Sequence, residues 1–218
     1  MVSDELLAYL NSLVQPRSEF IQQLEDYAKE NHVPIMDVIS AEAILQLLRI
    51  SNPKRILEIG TAIGYSAIRM AMTLPGTEIT TIERNRGRYE EAIKNINEAN
   101  MTNQITVFHG DALDLAPEIH ATGSYDVIFI DAAKGQYKRF FESYEPLLTN
   151  QGMIITDNVL FKGLVVEEIE DKRKRQLVDK IKMYNEWLST HPNYVTTILP
   201  VGDGIAISKR RGVKYEKA

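Results

Sequence analysis

The sequence predicts an α/β protein in which a mostly parallel sheet of seven strands follows a helical amino-terminal segment and ends in an antiparallel hairpin. Apolar side chains recur at helical spacing through the first fifty residues, and this spacing is typical of amphipathic helices. From Arg55 onward, short β-rich runs alternate with helical stretches, which favours parallel strands with helices on both faces of the sheet. The last two β-rich runs are joined too closely for a parallel crossover.

Three helices are predicted in the amino-terminal segment, at Glu5–Leu13, Ser18–Asn31 and Ser40–Arg49. Prolines lie between them, where they would interrupt a continuous helix. We expect residues 1–50 to pack on the sheet or to cap the site that the sheet forms. Because no repeat, low-complexity tract or flexible linker divides the chain, the prediction is one domain over residues 1–218.

Five β-rich runs supply the parallel strands of the predicted sheet. They are RILEIG (55–60), EITTIE (78–83), ITVFHG (105–110), YDVIFID (125–131) and GMIITD (152–157). Helices are predicted between or after them at Tyr65–Thr73, Arg86–Ala99, Tyr137–Leu148 and Glu167–Thr190. The runs Tyr194–Leu199 and Gly204–Lys209 are separated by four residues, which suits an antiparallel hairpin.

Composition and charge exclude several classes of protein. With 44% hydrophobic and 25% charged residues, the chain has the composition of an ordinary globular protein. Since it has no cysteine, it can form neither a disulfide nor a cysteine-ligated zinc site, which suits a reducing cytoplasm. No apolar run approaches the length of a membrane span, so we expect a cytoplasmic protein with no membrane partner. The net charge of -5 argues against DNA binding by the whole surface, although a local basic patch remains compatible with it.

A glycine-containing turn follows the first predicted strand. Glu58 and Gly60 end that strand, and Gly64 opens the next helix, which has Ser66 in its first turn. Glycines let the backbone turn tightly and approach a ligand at a helix start, where open α/β sheets form their ligand crevice. The dinucleotide fingerprint needs a glycine where this chain has Ala62, so the spacing disfavours a dehydrogenase.

Acidic residues also end the second and third predicted strands. Glu83 ends the second, where its carboxylate can accept hydrogen bonds from both hydroxyls of a ribose. The third is followed by Asp111 and Ala112, and Asp111 is a plausible partner for an adenine amino group. Each position alone also fits a structural turn or a helix cap. Three coincident strand ends favour a nucleotide-like ligand.

From Arg55 onward the chain resembles the class I S-adenosylmethionine-dependent methyltransferases, whose first motif is E-x-G-x-x-x-G and whose second strand ends in an acid. This resemblance implies a Rossmann-like fold. It also implies that S-adenosylmethionine is the methyl donor and that the glycine turn, with the acids after the next two strands, surrounds it.

Oxygen-donor side chains follow the fourth and fifth predicted strands. Asp131 ends the fourth, and Asp157 and Asn158 end the fifth. Because neighbouring strands lie about 4.8 Å apart, we expect these side chains to converge. Two carboxylates and an amide are ligands that hard divalent cations take in proteins, so Mg²⁺ is the predicted metal and Mn²⁺ remains an alternative. The other interpretation is a helix cap at Asp131 and a turn at Asp157.

Lys134 lies three residues after Asp131, so a turn would direct its amine toward the same cavity. A nearby divalent cation would favour the neutral amine, which could take a proton from an accepting hydroxyl. The hypothesis is that Lys134 is the general base. A solvent-exposed lysine with no catalytic part is the alternative.

With these residues, the chain resembles the metal-dependent catechol and caffeoyl-coenzyme-A O-methyltransferase family. That family has a metal-binding aspartate followed by a lysine after its fourth strand and an Asp-Asn pair after its fifth. The resemblance implies that Asp131, Asp157 and Asn158 bind the metal and that Asp131 and Lys134 are catalytic. It implies cofactor contacts at Met36, Val38, Glu58, Gly60, Gly64, Ser66, Glu83, Asp111, Ala112 and Asp131. It also suggests a homodimer.

Within the family, several strings look especially like the bacterial tRNA 5-hydroxyuridine methyltransferases, which form 5-methoxyuridine at the wobble position. The strings are EIGTAIGYSAIRMA, FIDAAKGQY, ITDNVLFKGLV and PVGDGIAISK. The 5-hydroxyl and 4-carbonyl oxygens of that base form a vicinal pair that can chelate a metal as a catechol does. The expected acceptor is therefore the anticodon region of tRNA, with a small catechol-like or caffeoyl-type molecule as the alternative. A nucleotide-binding module without catalysis is disfavoured by the complete metal and base set.

An anticodon substrate would need cationic contacts to phosphate. The candidates are Lys138, Arg139, Lys162 and the run Lys172–Arg175. The alternative for the run is a solvated helix face, since several acidic residues precede it. The four histidines are scattered without the spacing of metal ligands, and Trp187, on a helical pattern, is expected to pack.

Overall fold

A computed structural model describes residues 3–212, and its first 110 residues build three strands and five helices. The elements are α1 (Asp4–Leu13), α2 (Glu19–Glu30), α3 (Val38–Ser51), β1 (Arg55–Ile59), α4 (Tyr65–Thr73), β2 (Glu78–Glu83), α5 (Arg86–Glu98) and β3 (Ile105–His109). Side chains of Ser3, Ser18 and Asp37 cap the first three helices by accepting hydrogen bonds from backbone N–H groups. Asn52, in the left-handed conformation, ends α3.

The remaining described residues build four strands and three α-helices. The elements are α6 (Ala116–His120), β4 (Tyr125–Ile130), α7 (Tyr137–Tyr144), β5 (Leu148–Thr156), α8 (Lys172–Ser189), β6 (Tyr194–Leu199) and β7 (Ile205–Arg210). Three 3₁₀ segments lie at Lys134–Gln136, Glu145–Leu147 and Phe161–Val166. None of the helices in residues 3–212 is long and apolar enough to cross a membrane.

The predicted fold class is confirmed. The seven strands form one sheet in the order β3-β2-β1-β4-β5-β7-β6. β1 pairs in parallel with β2, β2 with β3, and β4 with β5, whereas β7 runs antiparallel to both β5 and β6. The predicted hairpin is therefore present, and β1 and β4 are almost fully buried, as strands covered on both faces are.

The chain divides into two compact units, one ending at Ala112 and the other beginning at Leu113. In the first unit, α2 and α3 contact α4, which follows the glycine turn. The predicted single domain over residues 1–218 stays a prediction, as does the role of residues 1–50 as a cap.

Two predicted helices have an end that lies more than two residues from its place in the structure. The helix predicted at Tyr137–Leu148 ends at Tyr144, because Pro146 cannot continue it and the chain tightens into a 3₁₀ turn before β5. The helix predicted at Glu167–Thr190 begins only at Lys172, because the Asp171 side chain caps it by accepting from the N–H of Lys174 at 2.7 Å. The short helix α6 was not predicted.

The tip of the hairpin, residues 200–204, is fastened to the chain that follows β5. The carbonyl of Asp203 accepts hydrogen bonds from the N–H groups of Leu160 (2.8 Å) and Phe161 (3.0 Å), and that of Gly204 accepts from Val159 (3.0 Å). A Cβ atom on Gly204 would lie 2.6 Å from Cβ and 2.7 Å from the backbone nitrogen of Leu160. Gly204 also has a φ of +91°, where a side chain is strained.

We expect Gly204→Ala to lower the free energy of unfolding by about 2–5 kcal/mol, because backbone strain and overpacking against Leu160 add. Gly76→Ala is the matched control. Gly76 has a φ of +86° but no atom within 4 Å of the added Cβ, so only the strain of about 1–2 kcal/mol applies. Urea denaturation measures both losses. Equal losses in the two variants would show that the hairpin tip is not tightly packed.

The buried tyrosines make stability depend on alkaline pH. Burial raises the pKa of Tyr65 and of Tyr184 above the ordinary value of 10.0. A raised pKa in the folded state means that their stabilising contribution is complete below about pH 10 and is lost as pH rises further. We expect the free energy of unfolding to fall above pH 10, and these two rings to ionise only with unfolding. Ultraviolet absorbance of tyrosinate, recorded with circular dichroism, measures both events, and full ionisation of all tyrosines in the folded state would contradict the expectation.

Candidate functional site

The glycine turn after β1 has the backbone conformations that its residues predict. Gly60 and Gly64 have φ values of 109° and 85°, in the region that favours glycine. Ala62 also has a positive φ, 48°. The N–H groups of Gly60 and Thr61 both donate to the carbonyl of Ile82, at 3.0 and 3.2 Å, which fastens the turn to β2. No side chain caps α4 at Gly64, so the N–H groups of its first turn can donate to a ligand.

Glu58 holds the first turn of α4 against the sheet. Its side chain is fully buried and accepts hydrogen bonds from the hydroxyls of Ser66 and Thr81. The Thr81 hydroxyl also lies 2.6 Å from that of Thr61 in the glycine turn. The hydrogen bond between Glu58 and Ser66 therefore helps to fix the shape of the turn. The predicted contacts of these two residues with the cofactor stay predictions.

Glu83 supports the same turn from the end of β2. One carboxylate oxygen accepts from the N–H of Ala62 at 2.9 Å and the other from the N–H of Asn85 at 2.7 Å. Each oxygen can accept a further hydrogen bond, so the carboxylate retains capacity for ribose hydroxyls. The N–H of Gly110 donates to the Glu83 carbonyl at 3.0 Å, which places half-buried Asp111 and buried Ala112 after β3.

The amino-terminal helices are tied to α4 by a network of polar side chains. The hydroxyl of Tyr65 donates to Glu25 of α2 at 2.7 Å, and Arg69 donates to the same hydroxyl at 2.8 Å. Arg69 also pairs with Glu42 of α3 at 2.5 Å. Met36, which is buried, and Val38, which is half-buried, lie at the start of α3. Their predicted contacts with the cofactor stay predictions.

In the second unit, the predicted metal ligands follow two neighbouring strands. The ends of β4 and β5 are in register, and the N–H of Asp157 donates to the carbonyl of Ile130 at 3.0 Å. Asp131 and Asp157 therefore leave the sheet side by side. Asp157 is buried, and one of its oxygens accepts from the N–H of Asn158 at 2.7 Å, which holds Asn158 in the left-handed conformation with a φ of 60°.

Lys134 lies in the 3₁₀ turn after Asp131, and its amine donates to the side-chain oxygen of Asn158. The same amine lies 5.6 Å from the centre of the Phe161 ring. Burial raises the pKa of Asp131, the positive charge of Lys134 opposes this rise, and the like charge of Asp203 adds to it. The structure thus brings together Asp131, Asn158 and Lys134, as the sequence predicted.

Two residues of this site were missed from the sequence, Tyr137 and Asp203. The hydroxyl of Tyr137 donates to the backbone carbonyl of Asp157 at 2.9 Å. Burial raises the pKa of Tyr137 well above its ordinary value, and the charges of Asp131, Asp157 and Asp203 raise it further. The hairpin tip thus adds a third carboxylate to this acidic environment. The strand-end pattern marks neither residue, although both lie in strings that carry the family resemblance.

The donor set is two carboxylates and an amide, and among residues 3–212 no group of three or more histidine and acidic side chains is arranged to hold a metal ion. The predicted Mg²⁺ site at Asp131, Asp157 and Asn158 therefore stays a prediction. Trp187 packs as predicted, with its ring edge-on to those of Phe141 (5.1 Å) and buried His191 (4.6 Å). The predicted phosphate contacts Lys138, Arg139, Lys162 and Lys172–Arg175 are all exposed.

A family model described as O-methyltransferase matches residues 11–211. Caffeoyl-CoA O-methyltransferase 1 of Arabidopsis thaliana is 33% identical over 220 residues, covering 95% of this chain and 85% of that protein. Caffeoyl-CoA O-methyltransferase 2 of Petunia hybrida is 32% identical, covering 95% and 91%. These matches confirm the family resemblance that the sequence motifs indicated.

Solved structures agree with these matches. A Staphylococcus aureus protein proposed to be a caffeoyl-CoA O-methyltransferase is 43% identical, with a TM-score of 0.90 over 95% of this chain and 100% of that one. The O-methyltransferase TomG of Streptomyces achromogenes, solved in complex with SAM, is 26% identical, with a TM-score of 0.82 over 97% and 100%. An O-methyltransferase from Bacillus cereus, solved in complex with SAH, is 27% identical, with a TM-score of 0.81 over 94% and 96%.

Proposed function

The chain belongs to the O-methyltransferase family, and we propose that its reaction is the methylation of 5-hydroxyuridine at the wobble position of tRNA to 5-methoxyuridine, with Mg²⁺ at the acceptor. The protein is an S-adenosylmethionine-dependent O-methyltransferase with the class I fold. The family match over residues 11–211 and the solved relatives with bound SAM and SAH support this class. The tRNA acceptor and the metal are the proposal.

The arrangement of Asp131, Asp157, Asn158 and Lys134 carries the proposal. Three oxygen donors and one amine meet where two parallel strands end side by side. Such a set suits an acceptor with two adjacent oxygens, because a cation can hold both while the amine takes the proton of one.

The residues present fit a hard divalent cation. Asp131 is held in surroundings that raise its pKa and Asp157 is buried, so a cation between them would offset the cost of two nearby negative charges. The amide oxygen of Asn158 already has a positive group, the amine of Lys134, as its partner. We propose that Asp131, Asp157 and Asn158 hold Mg²⁺, which when bound supplies Lewis acidity and a fixed position for the two acceptor oxygens.

For the methyl donor, the proposed binding residues act by hydrogen bonding and by backbone shape. Glu83 would accept from the ribose hydroxyls, while its present bonds to Ala62 and Asn85 hold it in place. The glycine turn would let the backbone approach the amino-acid part of the donor. S-adenosylmethionine supplies the electrophilic methyl group, as a sulfonium.

At the acceptor, Lys134 would act as the base. Its amine must first release Asn158 and present a lone pair to the hydroxyl of the substrate. The hydroxyl proton passes to Nζ, the oxygen forms the new bond to the methyl carbon, and the electrons of the broken carbon–sulfur bond stay on sulfur. Tyr137 holds the Asp157 backbone through this step. Fixed positions for both reactants supply much of the rate.

The support for a tRNA acceptor is the set of sequence strings that resemble the tRNA enzymes, together with the vicinal oxygens of 5-hydroxyuridine. A second candidate is a caffeoyl-type thioester or another small catechol. The names of the Arabidopsis and Petunia relatives favour it, at 33% and 32% identity. Both acceptors present adjacent oxygens and would use the same residues.

Transfer of labelled methyl from S-adenosylmethionine separates the two candidates. The acceptors are tRNA from a strain that lacks this enzyme and a panel of caffeoyl thioesters and catechols. We expect label in tRNA at a kcat/KM far above that of any small acceptor. Label confined to the panel would replace the tRNA proposal with the second candidate.

A homodimer and a cytoplasmic location are also proposed, from the family resemblance and from the lack of cysteine. Analytical ultracentrifugation of the full chain tests the dimer, for which we expect one species of twice the chain mass of 24.8 kDa. A species of the chain mass itself at micromolar concentration would contradict it.

A further inference from the structure

A groove lies between the 3₁₀ turn Lys134–Gln136, the start of α7 and one face of α8. Its volume is about 620 Å³, within the range of pockets that hold nucleotide-sized ligands. We name it the α7–α8 groove, and the residues that bear on its chemistry are Lys134, Lys138, Arg139, Lys180, Met183 and Trp187. None of the motifs assigned to the methyl donor lies in it.

The groove is cationic although the chain carries a net charge of -5. Four basic side chains line it against one acid, Glu186. Within residues 3–212 no acid pairs with Lys180 or Arg139, and the exposed pair of Lys138 with Glu142 is long, at 3.6 Å. A Cβ on Gly135 would lie 3.6 Å from the amine of Lys180, so this amine lies directly over the turn. Such a site attracts an anion.

Apolar and aromatic side chains lie among these charges. Met183 is 67% exposed, which is unusual for a methionine on a packed helix. The ring of Trp187 is held by its edge-on contacts with Phe141 and His191, and the amine of Lys138 lies 5.2 Å from its centre. The ring thus faces a cation of the groove, and it also stacks with the ring of Tyr184, whose centre lies 5.9 Å away. Phosphate-binding cations beside an aromatic ring are the usual features of a site for single-stranded nucleic acid.

The face of α8 that lines the groove continues beyond it along the helix. On α8, Lys172, Gln176, Lys180, Met183 and Trp187 recur at intervals of three and four, so they share a face. Lys172 and Trp187 are fifteen positions apart on the helix, a length of about 22 Å. At the other end, Lys134 both lines the groove and contacts Asn158.

The basic run Lys172–Arg175 lies at the start of α8, and Lys172 places its charge on this face. Lys172–Arg175 are all exposed and, in the part of the chain that the structure describes, make no ion pair. Four cations in a first turn oppose the helix dipole, so they weaken the helix rather than stabilise it. The helix dipole therefore does not explain the run, whereas an anionic partner would compensate its charges.

We propose that the α7–α8 groove holds the RNA strand next to the acceptor nucleotide. Lys138, Arg139 and Lys180 contact its phosphates, a flanking base lies against Met183 and Trp187, and Lys172–Arg175 contact phosphates farther along. The inference rests on the proposed tRNA substrate. A strand explains the length of the cationic surface, because a coenzyme A thioester carries its phosphates within one nucleotide and would leave the start of α8 without a partner.

Binding of an anticodon stem-loop RNA with uridine at the wobble position tests the proposal. Since Trp187 is the single tryptophan, its fluorescence reports contact in the groove directly. The test variant is Arg139→Glu with Lys180→Glu. The control is Lys182→Glu, which removes an exposed cation two residues from Lys180 but on the other side of α8. Neither variant replaces a residue assigned to the metal, the base or the cofactor. Labelling of free 5-hydroxyuridine nucleoside is measured beside RNA binding, so that a loss of catalysis is distinguished from a loss of RNA binding.

We expect RNA to quench Trp187 in the wild-type protein and the control, and the double variant to bind at least about tenfold more weakly at low salt. The slope of log Kd against log salt should fall by about 0.7–0.9 for each phosphate that the variant no longer neutralises. Glutamine at all of Lys172–Arg175 should lower the slope further while leaving the quenching in place.

Each other outcome overturns the inference. If the wild-type protein methylates tRNA but the double variant binds RNA normally, the groove assignment is wrong and the proposed function stands. If the double variant loses affinity for caffeoyl-CoA and the wild type does not bind RNA, the groove belongs to a thioester. If the wild type neither binds nor methylates tRNA, the proposed function itself fails.

Discussion

Replacing Asp157 by alanine is expected to lower kcat for methyl transfer by at least about 10²-fold, because the change removes a proposed metal ligand and the hydrogen-bond acceptor that holds Asn158. Affinity for Mg²⁺, measured by calorimetry without donor or acceptor, should fall with it. Asp157→Asn keeps an oxygen for the Asn158 N–H, so it separates loss of the metal from loss of the fold.

Asp26→Ala is the matched control for this prediction, because Asp26 is an exposed aspartate on α2. Circular dichroism should show that both Asp157 variants are folded. A folded Asp157→Ala protein with wild-type affinity for Mg²⁺ and wild-type kcat would remove Asp157 from the metal site.

Replacing Lys134 by methionine is expected to lower kcat by about 10²–10⁴-fold, the usual contribution of a general base, with the KM for S-adenosylmethionine unchanged. Lys134→Arg should be equally inactive. Arginine stays protonated, so it can donate to Asn158 as the lysine does but cannot accept a proton.

The arginine variant thus distinguishes two roles of Lys134, that of a general base and that of a positive charge that only positions Asn158. Lys182→Met, on the exposed surface of α8, is the control. Restoration of the wild-type rate by arginine would show that Lys134 is a positioning residue.

The sequence predicted the helices whose ends depend on local signals. Tyr65–Thr73 begins after a glycine in the left-handed conformation and was predicted with the bounds that the structure has. Where two signals compete, the prediction was wrong. The acidic stretch before Lys172 has helical composition, but the Asp171 side chain caps the helix and so starts it later. β5 begins at Leu148, four residues before the predicted run. Leu148 pairs with Tyr125 of β4, but the polar residues 149–151 separate it from the apolar run, so the sequence pattern did not include it.

The sequence predicted those residues of the candidate site that lie directly at the ends of strands. Asp131 and Asp157 were expected together because parallel strands place their carboxyl ends at one edge, and the register of β4 with β5 does so. Tyr137 and Asp203 could not be found this way, because they reach the site through a helix start and a hairpin tip. The α7–α8 groove likewise depends on how two helices pack, and no periodicity within either one shows it.

The most direct test of a metal-using O-methyltransferase acting on tRNA is mass spectrometry of nucleosides after reaction of hypomodified tRNA with labelled S-adenosylmethionine. We expect the label in 5-methoxyuridine alone, on the oxygen at position 5. The product should be lost after treatment with EDTA and restored by Mg²⁺. Full activity in EDTA, or label on any other nucleoside or on no tRNA at all, would contradict the account.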